Sequence, residues 1–398
     1  MGLNPNQPAL PAFREFDGLY NVVPPDRVPD TGLTEAVNVD INDAKQVSRR
    51  QGYTRAQTGN FHSVWGYRDG AYVVRNGDLF WYEPVDNTLK RLVEGVGSAP
   101  LCYVDAGDRV LVSNGTDSWC LRGTDWFMMG VPNPPKPSLS ATTGGSLPAG
   151  TYTVCLTLAR LDGLGGGPSE FTQIEVQKNG LLTVTWDGSI LAYLEYKRLN
   201  VYISSPSGEA LYLHSSLDPT TGSLVIGEVA QGRILATQGL YALPAFTSAA
   251  FYNGRVYAAQ GTVLWYSDIY NVELSRLYGN YIQFDSPITM VGDVTDGLYV
   301  SDSDAVYFLS GQDAPLSMRP ILDYPALSGS FVPVDSGRAG MTSEAVMFAT
   351  DEGVVFAQPG GSAKNLTQEK FLYTTGKSAA AMFRQYNGYG QYILTIKE

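Results

Sequence analysis

The sequence predicts an all-β fold: a β-propeller interrupted by an inserted β-sandwich and preceded by an extended N-terminal arm. Three observations carry that prediction. A hairpin-sized pattern recurs along the chain, a proline-rich segment separates two of its copies, and the composition favours strands and turns. With 25 Tyr, 15 Phe and 43 Gly in 398 residues, aromatic side chains suited to a pleated, half-buried surface accompany glycines that supply positive φ at tight turns. No long window is dominated by helix formers.

In chain order, residues 1–55 carry Pro24 and Pro25 and little periodicity, which predicts the arm. Residues 56–132 hold the first part of the propeller. There Tyr67-Arg-Asp-Gly70-Ala-Tyr-Val-Val-Arg-Asn-Gly77-Asp-Leu-Phe-Trp-Tyr82 aligns with Phe251-Tyr-Asn-Gly254-Arg-Val-Tyr-Ala-Ala-Gln-Gly261-Thr-Val-Leu-Trp-Tyr266. Both run as turn, apolar strand, Gly-containing turn, aromatic strand. Looser copies lie at 105–121, 296–309, 344–357 and 386–396, so about six hairpins recur, mostly at roughly 35–50 residues, the spacing of four-stranded blades. A single twisted hairpin cannot bury its apolar face, whereas several packed around an axis bury one another's. The last copy ends close to Glu398, which predicts that a strand near Gln51-Gly-Tyr-Thr54 clasps the final blade.

The wide gap between copies opens at Pro132-Asn-Pro-Pro-Lys-Pro137, a stiff linker, and residues 133–240 are assigned to the sandwich. Strands are predicted at 147–158, 170–176, 181–186, 199–204 and 210–215, with Asp162-Gly-Leu-Gly-Gly-Gly-Pro168 as the first hairpin turn. This pattern resembles a fibronectin type III module. Residues 241–398 return to the propeller.

A formal net charge of −12 argues against a protein that holds nucleic acid by neutralising phosphates. The charged fraction of only 17% leaves a thinly charged surface suited to meeting other protein. Cys102, Cys120 and Cys155 lack the spacing of a zinc knuckle or redox pair and are expected to be reduced core thiols. The N-terminal residues lack a basic segment followed by an apolar one, so the expectation is a protein without a secretory signal that matures in a reducing cytosol. No stretch approaches the roughly 18 apolar residues of a membrane span, and no membrane insertion is expected.

Candidate chemistry is sparse, and no catalytic, cofactor-binding or metal-ligating residue is assigned. His62 and His214 lack the company that triad or metal chemistry needs. The Gly163–Gly167 run precedes a proline and a strand, whereas a phosphate loop leads into a helix. Asp293, Asp296, Asp302, Asp304, Asp351 and Glu352 would serve a glycosidase as paired acids, but they sit where turns favour Asp. Asp302-Ser-Asp304 lacks the glycine and terminal Glu of a calcium loop. The Phe80-Trp-Tyr82 and Leu264-Trp-Tyr266 ends would suit a sugar platform, although equivalent strands pack between blades. Asn114 and Asn365 begin glycosylation sequons that carry no weight without a secretory signal. The loops at 271–280 and 311–329 are candidate contact surfaces.

One region carries more specific information. Phe16-Asp-Gly-Leu-Tyr-Asn-Val-Val-Pro-Pro25, Gly32-Leu-Thr-Glu-Ala-Val-Asn-Val-Asp40 and Val47-Ser-Arg-Arg-Gln-Gly-Tyr53 precede the first repeat. Over residues 13–55 and in its general style, the chain resembles the β-propeller nozzle, or hub, tail proteins of short-tailed bacteriophages. The resemblance implies a structural virion protein of the tail, assembled in the host cytoplasm, with no enzymatic activity and no cofactor. It implies a homo-oligomeric ring of six copies around the DNA channel, which retains the genome and lets it pass without specific binding. It further implies contact with a neighbouring tail adaptor or portal-associated ring and with tail fibre proteins, an acidic lumen, and an arm packed on the next ring member. Two other readings remain open: a carbohydrate-binding or carbohydrate-cleaving propeller acting as a receptor-binding tail component, and a bacterial surface propeller with an adhesive sandwich.

Overall fold

The computed structural model describes residues 15–42, 44–123, 125–187, 196–229, 232–334, 344–374, 376–386 and 389–397. Residues 1–14 of the arm and residues 387–388 of the last repeat lie outside the described residues. Among the described residues, regular structure consists of β-strands and three short 3-10 turns. The chain divides into two compact units, one of residues 60–284 with 313–315, the other of residues 1–59, 285–312 and 316–398.

The first unit contains three four-stranded antiparallel sheets. Sheet I runs through Phe61–Tyr67, Gly70–Arg75, Asp78–Glu83 and Thr88–Val93. Sheet II runs through Cys102–Asp105, Val110–Ser113, Ser118–Arg122 and Asp125–Met128. Sheet III comprises Ser248–Tyr252, Arg255–Gln260, Val263–Tyr266 and Tyr281–Gln283. The alternation of strand side chains explains how these sheets stack. On one face of sheet II, Val110, Val112, Trp119 and Leu121 pack with Tyr72, Val74 and Leu79 of sheet I. On its other face, Leu111, Cys120 and Val104 pack with Ala249, Val256 and Ala258 of sheet III. Each fully buried Val or Leu contributes about 1.5–3 kcal/mol, so a one-residue slip would move the whole set to the wrong face. The aligned repeats are the second and third strands of their sheets, and Asn76-Gly77 and Asn253-Gly254 take positive φ at two-residue hairpin turns, where that pair of residues is least strained.

The same unit holds a two-sheet sandwich. One sheet is Ser138–Leu147, Gly180–Thr185 and Ser223–Ile226; the other is built on Gly150–Arg160, paired with Gly165–Pro168, Thr172–Val176 and Tyr196–Ser204, the last of which pairs Leu211–Leu217. Leu147, Leu182, Val184 and Ile226 of the first sheet share one core with Tyr152, Val154, Leu156, Leu158, Val201 and Ile203 of the second. The glycine run differs from expectation. The turn ends by Gly163, and Gly165–Pro168 is a strand against Gly150–Arg160. A side chain at Gly167 would meet the Leu240 carbonyl and one at Gly166 the Val131 side chain, so the glycines serve close approach rather than turning.

The second unit repeats the stacking. Sheet IV comprises Met290–Val294, Gly297–Ser301, Val306–Ser310 and Ser317–Leu322, and sheet V comprises Val332–Val334, Ala345–Thr350, Gly353–Gln358 and Ser362–Asn365. Val346, Phe348, Val355 and Ala357 face sheet IV, whereas Ala345 and Met347 face Phe383 and Tyr392 of sheet VI, the hairpin Ser378–Tyr386 with Tyr389–Lys397. Small antiparallel sheets packed face on face make both units β-propeller-like.

Two expectations need correction here. The Gln51–Thr54 clasp is absent: residues 51–58 carry no strand, and sheet VI has two strands. The described arm is not extended throughout, because Gly18–Leu19 pairs in parallel with Gly32–Leu33 and Val39–Ile41 forms a hairpin with Val47–Arg49. The hairpin turn is held by the Asn42 carboxamide oxygen, which accepts from the Gln46 N–H at 2.8 Å, a local bond that Asn offers any turn.

Candidate functional site

The most elaborate polar constellation in the described residues is a buried ion cluster that ties the sandwich to sheets II and III. Arg160 ends the longest sandwich strand, Asp162 sits in the turn after it, Asp108 and Arg109 lie in the first turn of sheet II, and Arg122 ends its third strand. Glu273 comes from the connection between the last two strands of sheet III. The Arg160 and Glu273 side chains are 1% and 0% exposed, so only close pairing makes their charges tolerable.

The pairing is complete. Arg160 donates Nε to Asp162 Oδ1 at 3.0 Å and Nη2 to Asp162 Oδ2 at 2.9 Å. It also donates Nη1 to Glu273 Oε2 at 2.7 Å and to the Met128 carbonyl at 2.7 Å, and Nη2 to Glu273 Oε1 at 2.8 Å. These bonds engage every N–H that a guanidinium possesses. Its flat face lies 4.8 Å from the Phe127 ring centre. Glu273 in turn accepts from Arg109 Nη1 at 2.6 Å and from the Gly130 N–H at 2.8 Å. Gly130 has φ +75, and a side chain there would crowd Ala242, so the donor reaches the carboxylate only because the residue is glycine. Arg122 closes the cluster with Asp108 at 2.6 Å and Asp162 at 3.4 Å.

The electrostatics follow from this arrangement. Hydrogen bonding from Arg109, reinforced by Arg122, holds the Asp108 carboxyl at about 2. Burial works to raise the Asp162 and Glu273 carboxyls, but the hydrogen bonds and charge of Arg160 outweigh it and both stay below their ordinary values. With every donor of Arg160 and both oxygens of Glu273 engaged, the cluster fixes one placement of the sandwich on sheets II and III.

Above this anchor, the connection carrying Glu273 exposes Tyr270 at 86% and Tyr278 at 89%. Tyr270 adopts φ +64, an uncommon conformation for an aromatic residue, and its backbone N–H donates to the Gly254 carbonyl at 3.4 Å. Tyr278 meets Tyr241 edge-on at 6.0 Å. The candidate loop 271–280 is anchored at Glu273 and at Ser275, whose hydroxyl donates to the Tyr266 carbonyl at 2.8 Å, and carries an exposed aromatic at Tyr278. The other candidate, 311–329, contains the edge strand Ser317–Leu322 of sheet IV.

The arm brings its own recognised residues together. Asp40, the buried carboxylate of the Asn38-Val-Asp40 phrase, accepts from Arg50 Nε at 3.0 Å, and the Arg50 N–H donates to the Asn38 carbonyl at 2.9 Å. The two phrases thus read as the two sides of one hairpin.

The remaining sequence candidates bond within their own turns or to backbone of neighbouring strands, and burial, with the nearby Glu344 charge, raises the Asp293 carboxyl above its ordinary value. Asp302 Oδ1 accepts from the N–H groups of Asp304 and Ala305 at 2.9 Å, the pattern of an acid serving its own turn. Asp296 accepts from the Gly360 N–H, and Glu344 from the N–H and hydroxyl of Thr295. His62 and His214 each contact the serine that follows them, at 2.8 Å, and burial lowers the His214 pKa. His214 borders a shallow cleft of about 350 Å³ with Ser146, Val225 and Glu228. Trp81 packs edge-on against Tyr72 at 5.1 Å, and Trp265 joins the core between sheets II and III. The three cysteines are free, and burial pushes each thiol up to about 12. Among the described residues, no group of three His, Cys, Asp or Glu could hold a metal ion. Among the same residues, no helix is long and apolar enough to cross a membrane.

The ion cluster went unseen in the sequence because its members are distant: Arg160 and Glu273 are 113 positions apart, and Arg109 and Glu273 are 164 apart. Its one local signal is an arginine closing an otherwise apolar strand, Val154-Cys-Leu-Thr-Leu-Ala-Arg160.

No family model matches the chain, and no curated protein matches it. Solved structures show distant similarity. The N-terminal domain of Nup159 is 9% identical over 83% of this chain and 71% of that chain, with a TM-score of 0.33. A chain of the Mitotic Checkpoint Complex is 10% identical over 88% and 93%, with a TM-score of 0.32. The computationally designed Ika8 protein is 11% identical over 84% and 96%, with a TM-score of 0.29. Likeness of this depth carries no argument about what the chain does.

Proposed function

We propose that this chain is a structural component of a short-tailed phage tail, a nozzle or hub whose copies form a ring of six around the DNA channel. In this reading sheets I to VI close into a propeller, the fibronectin type III-like sandwich projects from it, and the ring retains the genome until ejection. The observation that carries it is the arm phrase, Asn38-Val-Asp40 followed by Arg49-Arg-Gln-Gly-Tyr53, joined by the Asp40–Arg50 ion pair directly ahead of sheet I. The net charge of −12 supports it, since a channel for a polyanion must let it slide rather than adhere. The complete pairing of Arg160 with Asp162 and Glu273 at the foot of the sandwich supports a structural role. The adaptor or portal-associated ring and the tail fibres are the expected neighbours.

Light scattering and negative-stain images of the purified protein, with and without phage particles, test this reading. Rings of six with an axial hole, located on the tail axis, are the expected result. A particle reconstruction with the chain away from the channel axis, or with a strongly basic lumen, overturns it. A second reading, a receptor-binding tail component that recognises carbohydrate, is favoured by the exposed Tyr270 and Tyr278 on their anchored connection. Binding of bacterial polysaccharide that is lost in Tyr278→Ala would transfer the assignment.

A further inference from the structure

Sheet VI is the odd one of the six: sheets I to V have four strands each, and sheet VI has the two strands Ser378–Tyr386 and Tyr389–Lys397. Which two it has can be read from how the chain enters each sheet. The Phe246 N–H, ahead of the first strand of sheet III, donates to Ser113 Oγ at the end of the second strand of sheet II. The Ala326 N–H, ahead of sheet V, donates in the same way to Ser301 Oγ of sheet IV. Ahead of sheet VI, the Tyr373 hydroxyl accepts from the Thr350 N–H at the end of the second strand of sheet V. Ser378–Tyr386 therefore holds first place and Tyr389–Lys397 second, and no described strand pairs in third place.

The open side of Tyr389–Lys397 carries free ladder groups. The Ala379 N–H points out of the hairpin to the Ser328 carbonyl at 2.7 Å, so Ala379 and its opposite residue Ile396 form a non-hydrogen-bonded pair. By the alternation of an antiparallel ladder, the N–H and C=O groups of Gly390, Tyr392, Leu394 and Ile396 point outward too, and among the described residues they have no partner. The last strands of the other sheets are blunted in the ways that prevent edge pairing. Thr88–Val93 carries Lys90 and Arg91, Ser317–Leu322 carries Arg319 and Pro320, and Ser362–Asn365 carries Lys364. Asp125–Met128 has 4 residues and Tyr281–Gln283 has 3. Tyr389–Lys397 runs for 9 residues with neither charge nor proline before Lys397. Beside it, Val354 and Phe356 of sheet V join the cluster of Phe383 and Tyr392 but are only half-buried, an apolar shelf under the third place.

We propose that this edge is the docking site for an extended segment of a partner polypeptide, which adds antiparallel to Tyr389–Lys397 as the third strand of sheet VI. A row of alternating N–H and C=O groups is complementary to another extended backbone and to little else. The shelf asks for apolar side chains at alternate positions of that segment, and Lys397 for an acidic residue opposite it. Residues 1–14 of this chain fit poorly, because Pro5, Pro8 and Pro11 lack the donor. Antiparallel pairing of two such edges from two copies fits no better: it would put both Tyr392 faces on one side, with the second copy's sheet V in the place of Val354 and Phe356. The inference does not rest on the phage reading, because it follows from the ladder groups of one strand.

The test uses the full 398-residue chain. The probe is a synthetic peptide with the sequence of residues 351–358, Asp-Glu-Gly-Val-Val-Phe-Ala-Gln, which fills the third place of sheet V and brings its acids to the Lys397 end. Hydrogen exchange at the Gly390, Tyr392, Leu394 and Ile396 amides should slow several-fold and saturably with peptide, while Ile393 and Thr395, already in the ladder, stay unchanged. The same peptide N-methylated at both valines and the phenylalanine keeps its side chains and should bind at least ten-fold more weakly. Leu394→Pro removes only an outward donor and should abolish the protection; if it disturbs Ile393 and Thr395, the methylated peptide decides. Equal binding of the methylated peptide, or no slowing at millimolar peptide, overturns the proposal. So does protection of the four outward amides in the free chain, which marks a second copy as occupant if it grows with protein concentration and this chain itself if it does not. Rings that assemble off the tail axis would sink the nozzle reading and leave this result untouched.

Discussion

Two joints in this molecule attach a peripheral element to stacked sheets, and they use burial in opposite ways. The sandwich is fixed by Arg160 and Glu273, both sealed from water, with every donor and acceptor engaged. The arm is fixed by Asn21, an exposed neutral amide bonded to backbone groups of residues 370–372. Each joint relies on few side chains, yet the consequences of breaking them differ, because a partner left alone in the interior loses solvation that water restores at the surface.

The largest expected effect is therefore at Glu273. Glu273→Gln keeps the shape but leaves the Arg160 and Arg109 charges short of a counter-ion, and denaturant unfolding should show a loss of about 3–5 kcal/mol. A loss below about 1 kcal/mol would mean that water reaches the cluster and that the contrast in burial is wrong. Arg160→Met should be comparably harmful alone. Combined as Arg160→Met/Glu273→Leu, however, the two should cost less than their sum by up to about 3 kcal/mol, since an apolar pair strands fewer charges. Additive losses in a double-mutant cycle would show that the two residues act separately.

Acid should distinguish the joints next. The Glu273 and Asp162 carboxyls are depressed in the folded state, so their contribution is present above the unfolded value of about 4 and is lost as pH falls through the folded one. Asp108, held at about 2, loses its own contribution between about pH 4 and pH 2. The Gly130 amide, which donates to Glu273, should keep its hydrogen-exchange protection from neutral pH to about pH 4 and lose it progressively below. Loss near pH 6 would contradict the depressed carboxyls. The Asn21 carboxamide does not titrate, so the Leu372 amide should not follow the same curve.

How far each joint was legible in the sequence follows the same divide between local and distant contacts. Hairpins could be read because their information is local: Asn76-Gly77 and Asn253-Gly254 specify turns, and flanking alternation specifies strands. The strand Ser138–Leu147 escaped because Ser-Leu-Ser-Ala-Thr-Thr-Gly-Gly-Ser-Leu is small, polar and mostly exposed, with no apolar alternation to announce it. The clasp expected near Gln51–Thr54 does not form, because no strand arises there to pair with sheet VI. Tyr53 does reach sheet VI, where its ring lies 6.0 Å from the Arg384 guanidinium, yet it approaches through a side chain and forms no ladder. Of the arm, the Asp40–Arg50 pair lies within one hairpin and its phrases stood out. The Asn21–Leu372 latch spans 351 positions and left no trace, like the ion cluster at Glu273.

The smallest effect is expected at the latch, and it is the sharpest check on the comparison. Asn21→Ala removes both side-chain bonds to Leu372, but water can solvate the exposed backbone groups left behind, so the net loss should be about 0.5–1.5 kcal/mol. Because the described arm contributes no fully buried apolar residue, that loss should stay local. Limited proteolysis should cleave residues 51–58 several-fold faster in the variant, and the Leu372 amide should exchange faster, while the denaturant midpoint of the sheets stays within error. If the midpoint instead fell as far as in Glu273→Gln, the arm would be part of the cooperative fold. The distinction between a sealed joint and an open one would then collapse.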